Sequence, residues 1–385
     1  MKRVAYISSP FLADCDLPLL KELQQQADVD YYLMIGKNSC QATLINAEVK
    51  PRGGVCPAAD YPALSRIKEF FDIRKVYVIN MPGGHDWSPK NLKAVWTAVK
   101  MIRQRHYDIV HATSPFRYGS FAFYQLRKQM LLTMHDPTPH SSDMGLLNRF
   151  HRFVAFRLVS HFLVLSHSIK AGFISRYHLQ QKHVYESRLS IYTHLQQTIP
   201  APLDQHGHIL FIGSINPHKG IEYLCKAMEQ VTSRHPGTRL IIAGRGTFPF
   251  DINSYMKSGN ISVINRFITD EELSALIRQS LVVVCPYVDA TQSGVIMSAF
   301  ALQKPVIATA VGAIPEMLRD HRHGLLVPPR DSNALAEAIE TIIKSPELLE
   351  EMKANILRDY STGNRSWKHI AREHAEIYNQ IASPR

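Results

Sequence analysis

The sequence predicts an α/β protein of two doubly wound units, each a parallel sheet covered by helices on both faces. Three observations lead there. Apolar runs of four to eight residues, some rich in β-branched side chains, alternate with stretches of helical periodicity through most of the 385 residues. Several runs are apolar on both faces, which suits strands buried under helices on each side. The pattern also halts at a polar, proline-bearing stretch near the middle and then begins again.

In chain order, Val4 to Ser8 reads as the first strand, followed by Val29 to Ile35, Val76 to Asn80, Ile109 to Ala112, Met130 to Met134 and Phe162 to Leu165. Parallel neighbours of this kind need right-handed crossovers. Gln196 to His208 (QQTIPAPLDQHGH) reads as a linker. Beyond it, Ile209 to Gly213, Leu240 to Ala243, Ser262 to Ile264, Leu281 to Cys285, Pro305 to Thr309 and Gly324 to Val327 are candidate strands. Helices such as Gly220 to His235 and Asp331 to Lys344 separate them. The last helix, Ser366 to Ile381, carries Trp367, Ile370, Ala371, Ala375 and Tyr378 at helical spacing, a face to bury on the first domain. The expected domains are thus residues 1–196 and 197–365, with a terminal helix 366–385 returning to the first. Ligands of doubly wound sheets gather outside the carboxyl ends of the strands, so the ligand is expected in a cleft between the two units.

Composition narrows the function. Hydrophobic residues at 45% and charged residues at 20% exclude a disordered chain, and no window offers the roughly 20 uninterrupted apolar residues of a membrane span. Five scattered cysteines, Cys15, Cys40, Cys56, Cys225 and Cys285, never stand in CxxC spacing, so neither a disulfide framework nor a thiolate zinc site is expected. The apolar stretch behind the first residues, MKRVAYISSPF, is too short and interrupted for a signal peptide, and the expected location is cytoplasmic.

The net charge of +11 lies entirely in the first 200 residues, which hold 25 basic and 14 acidic groups, while the rest hold 19 of each. A field of one sign concentrates anionic partners: nucleic acid, an anionic membrane face or an acidic substrate. The absence of any zinc-finger or RRM pattern sets nucleic acid aside. The helix from Arg149 to Val159 mixes Phe150, Phe153, Val154 and Arg157 on one side with Arg149, Arg152 and Phe156 on another. Two readings stand for it: a helix packed on its own core, and a face for the headgroup zone of a membrane.

The most informative block is Leu281 to Glu316, LVVVCPYVDATQSGVIMSAFALQKPVIATAVGAIPE. A buried strand leads through a polar loop (Pro286 to Gln292) into a helix that opens near Ser293 and Gly294. Free N–H groups and the positive end of the dipole at such an opening favour phosphate. A second strand from Pro305 leads through VGAIPE into another helix start, so two helix starts are expected side by side as a diphosphate cradle. No metal site is expected.

KPVIAT-VGAIPE, the QSGV helix, FIGSINPHKGIEYL (Phe211 to Leu224), IIAGRG (Ile241 to Gly246) and HGLLVPPRD (His323 to Asp331) together resemble the family 4 glycosyltransferases of the GT-B fold. Members transfer sugars from nucleotide-sugar donors with retention of anomeric configuration. The resemblance covers residues 205 to 345 firmly, and the first half through its strand pattern and MHDPTPH (Met134 to His140).

The resemblance implies a role for Lys219 on the donor diphosphate, where a mobile cation offsets charge on the leaving group. It places Gly213, Ser214, Gly244, Arg245, Arg266, Asp289, Gln292, Ser293, Gly294, Val295 and Ser298 on the donor side. Ser214 stands where many relatives carry an arginine, with Arg245 and Arg266 as candidate substitutes. Ala290 and Ser298 stand where many members carry two glutamates, which leaves Ser298 for the ribose and Asp289 and Gln292 for sugar hydroxyls. On the acceptor side, His135 after the strand Met130 to Met134 is expected beside the transferred sugar, with Asp136, His140, Ser9, Pro10 and Phe11 around it. His111 is a weaker candidate.

No carboxylate nucleophile is evident, so the implied route is same-face attack, with no cofactor and no metal required. The implied partners are a nucleotide-sugar donor, a lipid-linked or other saccharide acceptor, and an anionic inner-membrane surface met from the cytoplasmic face. The implied role is bacterial surface-polysaccharide synthesis, in capsule, exopolysaccharide or O-antigen. Two other readings remain open: a non-catalytic nucleotide-sugar-binding partner and a nucleotide-sugar epimerase.

Overall fold

The computed structural model describes residues 1–36, 44–45, 49–50, 52–137, 145–202 and 207–382. It divides into two units, Met1–Leu189 joined by the helix beginning at Trp367, and Ser190–Ser366.

The first unit is built on β1 (Arg3–Ser8), α1 (Ala13–Leu23), β2 (Asp28–Gly36), β3 (Gly54–Pro57), β4 (Val76–Met81), α2 (Pro89–Gln104), β5 (Ile109–Ala112), β6 (Met130–Met134), α3 (Leu146–Leu158), β7 (His161–Val164), α4 (His167–Arg176) and β8 (His183–Glu186). Its sheet runs β3-β4-β2-β1-β5-β6-β7-β8, parallel throughout except that β3 pairs antiparallel with β4. Burial explains which strands can be read from sequence. β1, β5 and β6 are buried on both faces and appear as apolar runs. The edge strands β3 (GVCP) and β8 (HVYE) are half-buried and carry a glycine, a proline, a histidine and a glutamate, so no apolar run marks them.

The second unit comprises α5 (His194–Gln197), β9 (His208–Ile212), α6 (Ile221–Arg234), β10 (Leu240–Gly244), α7 (Ile252–Met256), β11 (Ile261–Asn265), α8 (Asp270–Gln279), β12 (Ser280–Cys285), α9 (Gly294–Ala301), β13 (Val306–Thr309), α10 (Ile314–Met317), β14 (Gly324–Val327), α11 (Ser332–Lys344) and α12 (Pro346–Leu357). Its sheet is parallel, in the order β11-β10-β9-β12-β13-β14. The expected linker is docked at its start. Leu195 is buried, Arg278 of α8 donates to the Leu195 and Gln196 carbonyls (3.4 and 3.2 Å), and the Ala201 N–H donates to the Glu271 carbonyl (3.0 Å).

The final helix, α13 (Trp367–Ala382), belongs to the first unit and packs on α1. It buries Trp367, Ile370, Ala371, His374, Ile377 and Tyr378. The Tyr378 hydroxyl lies 2.7 Å from Nδ1 of His111, whose Nε2 lies 2.6 Å from the Thr133 hydroxyl. His111 is fully buried, and burial holds its pKa well below the usual value. It is therefore a neutral structural link and not a site residue. Among the described residues, no helix is long and apolar enough to cross a membrane.

Candidate functional site

In the second unit, the loops that leave β9, β12 and β13 are stitched together. The loop after β9 ends in a short turn, Pro217–Lys219, and Gly220 (φ 64°) starts α6 in the left-handed region. A Cβ at Gly220 would lie 2.0 Å from the Pro286 carbonyl oxygen, so only glycine lets the two loops approach this closely. The His218 carbonyl accepts the Val288 N–H at 2.8 Å. On the other side, Gly312 (φ 52°) sits against the Ala290 carbonyl, 1.8 Å from where a Cβ would be, and the Ala313 N–H donates to the Thr291 carbonyl at 3.1 Å.

Lys219 is half-buried in this arrangement. Its Nζ lies 3.9 Å from the ring centroid of Tyr287, and among the described residues it has no carboxylate and no hydrogen-bond acceptor. Burial pushes its pKa down, while the nearby Cys285 thiol, itself buried, is pushed up to about 11 and stays neutral. Ser293 caps α9 by accepting the Ile296 N–H, which leaves the N–H groups of Gly294 and Val295 without acceptors inside the helix. An ammonium with no counter-ion beside such a helix start can hold an anion.

The second expected helix start is present beside the first, but it is short. α10 is a single turn, Ile314–Met317, with the next residue already extended, and so few aligned peptides give little dipole. Its Met317 instead braces the cap, because the Ser293 N–H donates to the Met317 sulfur (3.4 Å) and the Tyr360 hydroxyl donates to the Met317 carbonyl.

The remaining donor-side candidates divide into those facing this arrangement and those engaged elsewhere. Gly213 and Gly244 sit at the ends of adjacent strands, and a Cβ at Gly213 would come 3.6 Å from the Val295 side chain. Ser214 is exposed and accepts from Asn216 (3.0 Å). Asp289 is exposed and Gln292 half-buried. Ser298 is buried and its hydroxyl donates back to the Gly294 carbonyl (3.1 Å), so its proton is used within α9. Arg245 is exposed with no ion pair among the described residues. Arg266 is a poor substitute for the missing arginine. Both its Nη atoms are held by Glu272 (2.7 and 2.6 Å) in the capping box of α8.

In the first unit, His135 follows β6 directly and borders a cavity of about 460 Å³. Thr113 and Arg117 after β5, Asp136 after β6, and His151 and Arg152 of α3 also line it. Burial pushes the His135 pKa down to about 4, with Asp136 opposing, so the imidazole is neutral near pH 7. Asp136 is exposed, and Arg152 donates to the carbonyls of Asp136 (2.6 Å) and Pro137 (3.1 Å), fixing this loop to α3. Of the first-loop candidates, Ser9 is half-buried, Pro10 buried and Phe11 60% exposed, but it is the next residue, Leu12, that borders the cavity. His140 lies outside the described residues.

α3 is packed on one side and open on another. His151, Ala155 and Phe156 are buried, while Leu146 (83%), Phe150 (45%) and Phe153 (63%) are exposed. Beside them runs a groove of about 830 Å³ whose lining includes Arg149, Arg152, Arg157, Arg176 and Lys182 and no carboxylate. The sequence reading missed Tyr287, whose only signal is an aromatic residue opening an otherwise polar loop. It also missed Thr113 and Arg117, which nothing in the sequence distinguishes. Among the described residues no group of three or more His, Cys, Asp or Glu side chains is arranged to hold a metal ion.

Two family models match this chain. The one described as Glycosyl transferases group 1 matches residues 206–345, and the one described as Glycosyltransferase Family 4 matches residues 54–185. The chain belongs to the family 4 glycosyltransferases. Among curated relatives, the alpha-D-kanosaminyltransferase of Streptomyces kanamyceticus is 28% identical over 156 residues, 40% of this chain and 40% of that protein. Matches to other curated relatives span 42% and 45% of their length, so this family 4 chain aligns with less than half of each. Among solved structures, HepE of Anabaena in complex with UDP superposes with a TM-score of 0.69 at 17% identity, covering 99% of this chain and 100% of that one. WaaG, a glycosyltransferase involved in lipopolysaccharide biosynthesis, superposes with a TM-score of 0.61 at 16% identity, covering 97% and 99%. The two helix-flanked sheets, parallel apart from the edge strand β3, thus form the GT-B fold of the family.

Proposed function

We propose that this family 4 protein transfers a hexose from a nucleotide-sugar to a lipid-linked saccharide, with retention of configuration, in the assembly of a bacterial surface polysaccharide. One observation carries the proposal: a half-buried ammonium, Lys219, stands without a counter-ion among the described residues beside the uncapped N–H groups of α9. A diphosphate supplies the missing charge. Its departure from the sugar is then assisted by Lys219 and by the helix start, electrostatic help that needs no bound metal. Retention follows if the acceptor hydroxyl attacks from the face the diphosphate leaves and passes its proton to the departing phosphate oxygen.

His135, neutral and at a cavity wide enough for a sugar ring, is assigned to a hydroxyl of the transferred sugar. The UDP held by HepE and the lipopolysaccharide role of WaaG support a nucleotide donor and a surface-glycan acceptor. The carboxylate-free groove beside the exposed Leu146, Phe150 and Phe153 supports peripheral contact with an anionic membrane from the cytoplasmic side.

A second reading, a protein that binds nucleotide-sugars without turning them over, is favoured by two positions. Ala290 is buried with its carbonyl pressed on Gly312, and Ser298 is bonded within its own helix, so neither position offers a carboxylate. Thermal-shift titration with UDP-, GDP- and dTDP-sugars, followed by transfer to lipid-linked saccharides and NMR of the new anomeric centre, separates the readings. Stabilisation by one donor with formation of a retained linkage supports the transferase. Stabilisation with no product supports the binding protein, and no stabilisation by any donor overturns both.

A further inference from the structure

We propose that Tyr287 is the positioning residue for Lys219, holding its ammonium over the ring and locking that ring to the cap of α9. The inference rests on the diphosphate role given to Lys219 above. Tyr287 is 1% exposed and anchored at both ends. Its carbonyl accepts the Thr309 hydroxyl (2.5 Å) at the end of β13, and its own hydroxyl lies 3.2 Å from the Ser293 Oγ that caps α9. Between these anchors its ring carries Lys219, which arrives from the loop after β9. One side chain thus fixes the cation relative to the helix start.

The chemistry of the partner matters. A carboxylate would neutralise the ammonium and occupy its donors, as Glu272 does for Arg266. An aromatic face stabilises the charge through its quadrupole while remaining neutral, so the N–H donors turned away from the ring stay available to an anion. The ring also opposes the cost of burial, which by itself favours the neutral amine. Lys219 is thereby kept charged in a half-buried position with no counter-ion of its own among the described residues.

The test compares Tyr287→Phe, which keeps the ring, with Tyr287→Leu and Tyr287→Met, which remove it. The expected loss in kcat is about tenfold for the Leu and Met variants, the scale of one desolvated cation–π contact, with a smaller loss in the Phe variant, which keeps the ring and gives up only its tie to Ser293. The alkaline limb of the pH–rate profile moves to lower pH in the two ringless variants and stays in place in the Phe variant, because the lysine loses its proton more easily without the ring. A merely structural role would lower all three without moving the limb. A second readout needs no activity and uses the folded wild-type protein. After reductive 13C-methylation, the Lys219 signal, assigned by its absence in Lys219→Ala, is expected upfield of the other lysines through the ring current of Tyr287. A Lys219 signal at the ordinary position, or ringless variants whose limb does not move, overturns the proposal. Failure of the wild-type protein to bind any nucleotide-sugar, with the upfield signal present, instead overturns the function reading and leaves the contact standing.

Discussion

At the carboxyl ends of β9, β12 and β13, the loops of the second unit are sewn together by backbone hydrogen bonds and two close glycine approaches, whereas in the first unit the loops after β5 and β6 stand around a cavity of about 460 Å³. The two candidate sites are therefore built from different material. In the second unit the site consists of main-chain amides, one capped helix start and one ammonium on a ring. In the first it consists of side chains, Thr113, Arg117, His135 and Arg152 among them. A surface of amides fits a ligand whose shape does not vary, such as a diphosphate, and a side-chain wall can be rebuilt for each acceptor. The charge follows the same division, with the whole excess of +11 in the first 200 residues and a balanced remainder.

The largest expected effect tests the second unit. Lys219→Ala should lower turnover on the order of a hundredfold, the scale of removing one charge-stabilising group, while the thermal unfolding transition stays close to wild type. Near-normal transfer by that variant would remove the distinction drawn between the units. His135→Ala should cost about tenfold in kcat, as for one neutral hydrogen bond strengthened in the transition state. Because the His135 pKa lies at about 4, the wild-type profile should show no limb near pH 6.5 from this group. A limb there that vanishes in the variant would mean that the imidazole titrates and works as an acid or base.

How much of this was legible in the sequence follows from the same division. β1, β5, β6 and the core strands of the second sheet are apolar on both faces and declare themselves, while β3 and β8, wet at the edges, do not. Gly220 and Ser293 are legible because a tight loop and a helix start demand particular residue types at fixed spacing, whereas Lys219 is singled out only by the resemblance to the family. Tyr287 is not legible, since its contact with Lys219 joins two loops far apart in the chain. The helix start at Ile314 is legible, but its length is not, because a proline and a short apolar run look alike before one turn or four. The wall around His135 is assembled from side chains on separate loops with no shared spacing, and no motif announces it.

Smaller effects sharpen the contrast from the first unit's side. Arg157→Gln in the basic groove should lower partition onto vesicles containing anionic lipid about fivefold at low salt, without changing donor affinity. Unchanged partition would leave the charge excess without the proposed partner.

The smallest effect concerns stability against pH. Burial raises the Asp16 carboxyl to about 7, although the hydrogen bond from the Tyr6 hydroxyl (2.8 Å) and the nearby Ser8 hydroxyl pull the other way. A raised folded pKa means a contribution present in full below the unfolded value near 4 and lost as pH climbs through 7. His135 and His374, pushed down to about 4 by burial, act oppositely and lose stability as pH falls below about 6.5. Asp16→Asn should therefore gain on wild type as pH rises from 5 to 8, by on the order of a few degrees in Tm. A constant difference across that range would show that Asp16 does not titrate there.

The most direct test of the central claim is amide hydrogen exchange with and without the nucleotide-sugar that gives the largest thermal shift. Slowed exchange is expected in Ser214–Gly220 and in Gly294 and Val295 of the second unit, with loss of that protection in Lys219→Ala. Protection confined to the loops around His135, or equal protection in the variant, would contradict that claim.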